Sequence, residues 1–509
     1  MRQISVANSA LATGRLLTEH PTLPGLIAAL DEFHRQKIAY CYWKSSRRLE
    51  EVFNGEGDID LLVARRDQHR AQTIFLERDF KLFPSVADRD HPATLSFLGY
   101  DEPSGRLLHV HLHFHVIVSD RFLTNYSLQW GETLLTKAIG HPSLPIRILD
   151  PASEAVLLVV RCCLEHQRLD LKLLGRSQAA VRKFELDRAH LASSVDHTLL
   201  HETAGELLND DIADQITSAF HDEQALQRHA HLRRSLKRHC AMFRSYNTAE
   251  ALLRGWARVI VQGFGRLNKN YLHTPRPWNR RAPGGGCMVA LIGVDGSGKS
   301  TAVATMRAWL GSKIDVMPIY FGTGDGRPSL WLWPFKLMVP LITRTFKSSG
   351  GGSRQKPTDR EPRPIYSLLL TCWAIAVALD KQKKLTAARR GINRGLIVLT
   401  DRYPQDETLH FNDSPLLTRL IFVPQWLRRL ERAVYARARH LPPDLVIKLV
   451  VTPETAARRE PTMNPAVIRD RIATLQHLKF SGARVVNVDA ERPLPEVIRE
   501  LKREIWRLI

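Results

Sequence analysis

Apolar and polar positions follow two different rhythms along the chain. From residue 287 onward, short apolar strand-like runs alternate with longer stretches of helical character, and 287–292, 316–321, 395–400, 445–451 and 484–488 are the expected strands. Strands spaced by helical segments predict a parallel sheet with helices on its faces. Upstream, residues 1–149 mix a helical run at 26–33 with strands at 59–63 and 107–118, an α+β pattern. Residues 150–267 read as helical, starting where Pro151-Ala152-Ser153-Glu154 opens the apolar run 155–164. The stretch 268–286 holds Pro275, Pro277, Pro283 and three glycines, and predicts a linker. The expected class is therefore α/β, with an N-terminal α+β unit (1–149), a helical extension (150–267), the linker, and a C-terminal parallel-sheet unit (287–509).

Composition adds bounds. A chain of 509 residues with 44% hydrophobic content has room for two or three ordinary globular cores. Six cysteines without a C-x-x-C pair do not make a disulfide framework, so a reducing cytoplasm is the expected compartment. Residues 1–17 lack a continuous apolar stretch, and no signal peptide is expected. Two apolar segments raise the membrane question. The run 330–342 carries Lys336 and two prolines, and 365–379 is short of the roughly 20 residues that a spanning helix needs. A packed lid and a buried helix are expected there, with peripheral contact through Trp331 and Trp333 as the alternative. The stretch from Ser348 through the glycines to Pro364 reads as a mobile loop.

The net charge of +21 is uneven: 227–283 holds thirteen Lys/Arg against the single acid Glu250, a net of +12. Such a block suits a polyanion or a membrane surface at the inner face, or is a solvated basic face. Aromatics are interleaved (Phe243, Tyr246, Trp256, Phe264, Tyr271, Trp278) without an RNA-binding signature.

The most informative stretch is 293–301, Gly-Val-Asp-Gly-Ser-Gly-Lys-Ser-Thr, in which Gly293, Gly298, Lys299 and Ser300 fill G-x-x-x-x-G-K-[ST]. It lies between a predicted strand and a predicted helix, the context of a phosphate loop. Glycines let successive N–H groups turn inward onto phosphate oxygens, and the helix N-terminus adds its positive end. The loop residues Gly293, Asp295, Gly296, Ser297, Gly298, Lys299, Ser300 and Thr301 are the candidate nucleotide cradle, with Lys299 on the β/γ-phosphates and Ser300 on Mg²⁺. Asp401-Arg402-Tyr403-Pro404 follows the strand 395–400, at the carboxyl end where α/β sheets bind ligands. A carboxylate there suits Mg²⁺ and an arginine suits an acceptor phosphate. Arg458, Arg459, Arg469 and Arg471 follow the strand 445–451 and are candidates for closing over ATP, each equally compatible with ordinary surface.

Together GVDGSGKST, DRYP, the PDL…VTPE…ARR run (443–459) and Asp489-Ala490-Glu491-Arg492-Pro493 resemble the thymidylate-kinase-like branch of the nucleoside-monophosphate kinases. The resemblance implies a P-loop fold, ATP with Mg²⁺ as donor and a small phosphorylated acceptor. It assigns Lys299 to donor phosphates, Ser300 to Mg²⁺, Asp401 to metal or acceptor, Arg402 to acceptor phosphate, and Arg458 and Arg459 to the lid. One departure bears on the acceptor: the family's Arg-Glu-Pro motif after its second strand is replaced here by 320–328, where Arg327 stands nearest in role.

In the N-terminal unit, Gly57-Asp58-Ile59-Asp60 puts two carboxylates at i and i+2, on one face of a strand, where they can share a divalent metal. Upstream, 42–46 is a candidate phosphate-facing turn. This arrangement resembles the nucleotidyltransferase fold, which implies Mg²⁺ on the acidic pair and a third acid on a neighbouring strand. The neighbouring strand instead offers His109, His111, His113 and His115 at spacing two. Those histidines are either ligands or the lining of a degenerate pocket. The leading functional expectation is an ATP-dependent phosphotransferase. The alternatives are a nucleotide-switched protein that binds a polyanion or membrane through 227–283, associated by resemblance with surface-polysaccharide biosynthesis, and a nucleotidyltransferase at Asp58/Asp60. A homodimer is compatible with each.

Overall fold

The computed structural model describes residues 23–87, 91–120, 123–165, 177–221, 230–322, 364–409, 414–419 and 423–509. The apolar run 330–342, Arg327 and the expected mobile loop 348–364 lie outside the described residues, apart from Pro364.

The N-terminal strands are β1 (Tyr40–Tyr42), β2 (Ile59–Val63), β3 (Lys81–Leu82), β4 (Thr94–Asp101), β5 (Arg106–His113), β6 (Val116–Asp120), β7 (Leu123–Leu128), β8 (Ile139–Gly140) and β9 (Arg147–Ile148). Seven of them form a mixed sheet in the order β3-β4-β5-β2-β1-β9-β8, while β6 and β7 pair separately. The expected single strand over 107–118 is thus two strands. The chain leaves the large sheet after His113, and Val116 and Val118 are buried in a second core with Ala155, Val156 and Val159 of the helix Pro151–Glu165. Among the described residues six α-helices lie between Pro151 and Leu267, the last being Thr248–Leu267.

The C-terminal strands are β10 (Met288–Gly293), β11 (Val316–Tyr320), β12 (Ile397–Asp401), β13 (Leu445–Val450) and β14 (Arg484–Asp489). They pair in the order β11-β12-β10-β13-β14, every pairing parallel. Parallel strands need crossover helices on both faces, which explains why β10 is apolar along its whole length: all six of its residues are buried. The alternation read from the sequence is the physical imprint of that arrangement. The apolar run 365–379 belongs to the helix Pro364–Asn393, in which Ala374, Ala376, Val377 and Ala378 are buried. Among the described residues no helix is long and apolar enough to cross a membrane.

The two sheets share a core. Phe83, Leu98 and Leu107 from the N-terminal sheet join the same buried cluster as Met288, Trp309 and Trp506. Around it, Trp506 donates its indole N–H to Asp79 (2.9 Å), Lys502 reaches the Gly105 carbonyl (2.6 Å), and the Tyr100 and Trp309 rings meet edge to face at 5.5 Å. The stretch 268–286 is strapped to both sides. Backbone N–H groups of Trp278 and Asn279 donate to Asp315 (2.6 Å each), Val86 N–H donates to the Asn279 carbonyl (2.9 Å), and Arg281 N–H to that of Pro84 (3.2 Å).

Candidate functional site

The sequence 293–301 forms a tight loop from the end of β10, the central strand, into the helix Lys299–Gly311. Two glycines make the geometry. Gly298 caps the helix with φ +85°, a left-handed conformation that costs a side-chain-bearing residue free energy. Gly296, at φ +82°, lies so close to the helix Pro453–Arg459 that a Cβ on it would sit 2.9 Å from the Ala456 carbonyl oxygen. Lys299 is buried, and its ammonium donates to the Val294 carbonyl at 2.6 Å, so the charge is stored inside the loop. The buried Ser297 hydroxyl has no hydrogen-bond partner among the described residues. A buried polar group in that state is costly and marks a place where a ligand oxygen fits. Ser300 and Thr301 are exposed at the helix start, facing away from the protein core.

Asp401 is the last residue of β12 and is flanked by Leu291 of β10 and Tyr320 of β11, so it stands beside the loop. Arg402 turns the chain with φ +67°, a conformation that costs a non-glycine residue on the order of 1–3 kcal/mol. Two anchors hold it. Its own N–H donates to Leu291 (3.0 Å), and the buried Tyr403 hydroxyl donates to the Ala438 carbonyl (3.1 Å) and to that of Leu441. The result aims the Arg402 guanidinium at the loop, 3.4 Å from Asp295.

Asp295 is the meeting point of the site. Arg471, on the helix Pro465–His477, binds its other carboxylate oxygen at 2.6 Å, and Arg459 donates to the adjacent Gly296 carbonyl at 3.2 Å. Arg458 is exposed, and among the described residues its guanidinium reaches Thr455 on its own helix, at 3.5 Å, and not the loop. Two consecutive helical residues point about 100° apart, which is why one of the pair faces the loop and the other does not. Arg469 is exposed as well. In the sequence Arg471 was one of four candidate arginines, with no local signal to set it apart from Arg469, and the role of Glu491 was not legible. That carboxylate accepts from Thr452 N–H (2.7 Å) and from the Thr455 hydroxyl (2.8 Å), pinning the start of the short helix Pro453–Arg459. Backbone hydrogen bonding from Thr452 lowers its pKa, which keeps it an acceptor. Beside the loop lies a cavity of about 340 Å³, lined among others by Val294, Val451, Ile472, Leu475 and Asp489.

The N-terminal carboxylates also find a common face. Asp60 on β2 lies opposite His111 of β5, and Asp58 immediately precedes the strand. Asp60 Oδ1 is 2.8 Å from His113 Nε2 and 3.2 Å from His111 Nδ1, and Asp58 Oδ1 is 3.0 Å from His109 Nδ1. His115 is not among them, because β5 ends at His113. The surroundings set the charges. Burial opposes ionisation of Asp60, but Lys44 and the two histidines outweigh it and hold the carboxyl well below the usual range. Burial pushes His109 down to about 3 and His113 to about 4, against the pull of their aspartates. It also brings Lys44 down to about 8, with Arg161 adding to the effect. The expected phosphate-facing turn is not open, since the Ser46 N–H and hydroxyl both donate to buried Glu154, at 2.8 and 3.1 Å.

No family model matches the chain. It is similar to the uncharacterised ATP-binding protein YghS of Escherichia coli K12, at 30% identity over 225 residues, 43% of this chain and 92% of that one. It is 23% identical over 236 residues to the uncharacterised ATP-binding protein YghR of the same strain, 46% of this chain and 90% of the relative. A probable thymidylate kinase of Methanoculleus marisnigri is 27% identical over 229 residues, 43% of this chain and 93% of its own length. The sheet is α/β and parallel, and the relatives' names pair ATP binding with one probable kinase. Because it spans 92% of YghS at 30% identity, the chain belongs to the family of that protein.

Proposed function

We propose that the protein is an ATP-dependent phosphotransferase of the thymidylate-kinase-like type, passing the ATP γ-phosphoryl group to an acceptor oxygen. The observation that carries this reading is the Lys299 ammonium held on the Val294 carbonyl inside a glycine loop that three arginine side chains address from neighbouring elements. ATP replaces internal partners with phosphate oxygens. Lys299 exchanges a carbonyl for the β/γ-phosphates, while the loop N–H groups and the Ser297 hydroxyl gain acceptors. Arg459 and Arg471 are placed to neutralise charge as the phosphoryl group moves, and Arg402 to hold the acceptor. Mg²⁺ fits the exposed Ser300 hydroxyl and Asp401, and would supply charge neutralisation between donor oxygens. The cavity lined by Val451, Ile472 and Leu475 has the size and apolar wall for the purine. Catalysis in this reading is positioning and electrostatics, with no covalent intermediate. The names of the ATP-binding relatives and of the probable thymidylate kinase support it. In this reading 287–509 is the kinase unit and 1–149 a nucleotidyltransferase-like unit carried on the helices 150–267. The test is transfer from γ-labelled ATP, which Lys299→Ala abolishes while circular dichroism stays unchanged.

A second reading concerns where the enzyme works. On the helix Thr248–Leu267, Leu253, Trp256, Ile260, Phe264 and Leu267 are all exposed, at 72, 51, 55, 53 and 42%. Steps of three and four residues put them in one stripe. The exposed Arg254, Arg266 and Lys269 flank it, the arrangement of a helix lying in an anionic membrane surface. Co-sedimentation with phosphatidylglycerol vesicles but not with neutral ones is expected, and Trp256→Glu with Phe264→Glu abolishes it. Equal binding to neutral vesicles, or none to either, contradicts it.

A further inference from the structure

We propose that Asp60, His111 and His113 bind one nitrogen-preferring divalent transition-metal ion, represented by Zn²⁺, through three protein ligands and an open position. The site is separate from the phosphate loop, and it departs from the Mg²⁺ that the nucleotidyltransferase resemblance implies.

The geometry comes first. The ligating atoms of Asp60, His111 and His113 lie within 4.8 Å of one another. Two of the contacts, Asp60 Oδ1 to His113 Nε2 at 2.8 Å and to His111 Nδ1 at 3.2 Å, are close to the roughly 3.4 Å that separates ligands on a tetrahedral Zn²⁺ ion. The backbone supplies the convergence. His111 and His113 share one face of β5, and parallel pairing sets Asp60 directly opposite His111. Neighbours then orient the rings. Thr94 Oγ1 lies 3.2 Å from His113 Nδ1 and leaves Nε2 toward Asp60, while Trp43 packs edge-on against the His113 ring at 4.9 Å. Metal-ligating histidines usually have the second nitrogen occupied in this way.

Charge and hardness decide which ion. Mg²⁺ demands near-octahedral oxygen ligation, and here two imidazoles stand beside one carboxylate. Two histidines with one carboxylate are a ligand set for Zn²⁺ or a neighbouring first-row ion. The adjacent group Asp58, His109 and His111 also has ligand spacing, but the Lys313 ammonium already sits 2.5 Å from Asp58 Oδ1. Asp58 is therefore neutralised by a protein cation, and the ion goes to Asp60. Three protein ligands leave a position for water or an anionic oxygen, which the neighbouring Lys44 ammonium favours.

The test is equilibrium dialysis of the full-length protein, stripped with chelator, against Zn²⁺ and against Mg²⁺, with bound metal read by mass spectrometry. The expected result is one Zn²⁺ per chain that an about thousandfold excess of Mg²⁺ does not displace, with affinity lowered at least about tenfold in both His111→Gln and Asp60→Asn. Asp60→Asn is isosteric and carries the test if His111→Gln fails to fold. Lys299→Ala retains Zn²⁺ as the wild type does, so this result stands apart from the kinase reading. No Zn²⁺ retained by the wild type, equal retention in Asp60→Asn, or displacement by Mg²⁺ overturns the proposal.

Discussion

Lys313, two residues beyond the helix that begins at the phosphate loop, places its ammonium 2.5 Å from the Asp58 carboxylate of the N-terminal sheet. The helix between has 13 residues and is about 20 Å long. One rigid element therefore has the glycine loop 293–298 at its start and the aspartate–histidine cluster just past its end. Trp309, on the same helix, packs against Tyr100 of the N-terminal sheet, so its position is fixed from both sides.

The Lys313–Asp58 pair is partly solvated, and its contribution is correspondingly modest. A double-mutant cycle with Lys313→Met and Asp58→Asn, read by denaturant midpoints, is expected to give a coupling of about 0.5–1 kcal/mol. A coupling indistinguishable from zero would show that the contact does not hold the helix to the sheet.

The arginines divide by geometry. Arg459→Ala and Arg471→Ala are expected to lower kcat by about 10²-fold or more, because their side chains reach the loop, at Gly296 and Asp295 respectively. Arg458→Ala, whose side chain follows its own helix, stays within about threefold. Steady-state kinetics on the acceptor found by label transfer checks this, and equal losses in all three variants would refute the division.

Glu154 provides a pH prediction. Burial raises its pKa from 4.5 to about 7, partly opposed by the two hydrogen bonds from Ser46. Between those values the folded chain holds a proton that the unfolded chain has lost, so this group makes stability fall as pH rises from about 4.5 to 7. Glu154→Gln keeps the neutral form and flattens that dependence. Chemical denaturation at pH 5 and pH 7 measures it, and an unchanged pH slope in the variant counts against the assignment.

Trp506 joins the C-terminal helix to both sheets. It is 2% exposed, its indole donates to Asp79, and Lys81 lies 4.9 Å over its ring. Trp506→Ala is expected to cost roughly 3–5 kcal/mol of stability. Phosphate-loop chemistry should survive under conditions where the variant is folded. A loss below about 1 kcal/mol in urea unfolding would show that the shared core contributes little.

The parallel sheet was legible because strands covered on both faces need near-continuous apolar runs: β10 is one throughout, β12 is apolar up to Thr400 and Asp401, and β13 is apolar except at Lys448. The tight turn from β10 into the helix Lys299–Gly311 was legible because glycines at fixed spacing set its backbone. Where side chains meet across the fold, the sequence was silent. Nothing local tells that Arg471 rather than Arg469 reaches Asp295, because that depends on the phase of a helix against a loop 176 positions away. The break after His113 was hidden for the opposite reason: Val116 and Val118 continue the alternation of β5, yet they belong to another core. Lys313 carried no signal at all, being one lysine at a helix end until packing brought it to Asp58.

The central claim is that the loop around Lys299 delivers a phosphoryl group from ATP. The most direct measurement incubates γ-labelled ATP and Mg²⁺ with wild type and with Lys299→Ala, offering dTMP, other nucleoside monophosphates, sugars and lipid or polysaccharide extracts as acceptors. The account predicts label on one acceptor class with the wild type and none with the variant. Label transfer that survives in Lys299→Ala, or ATP bound tightly by the wild type with no acceptor ever labelled, would contradict it.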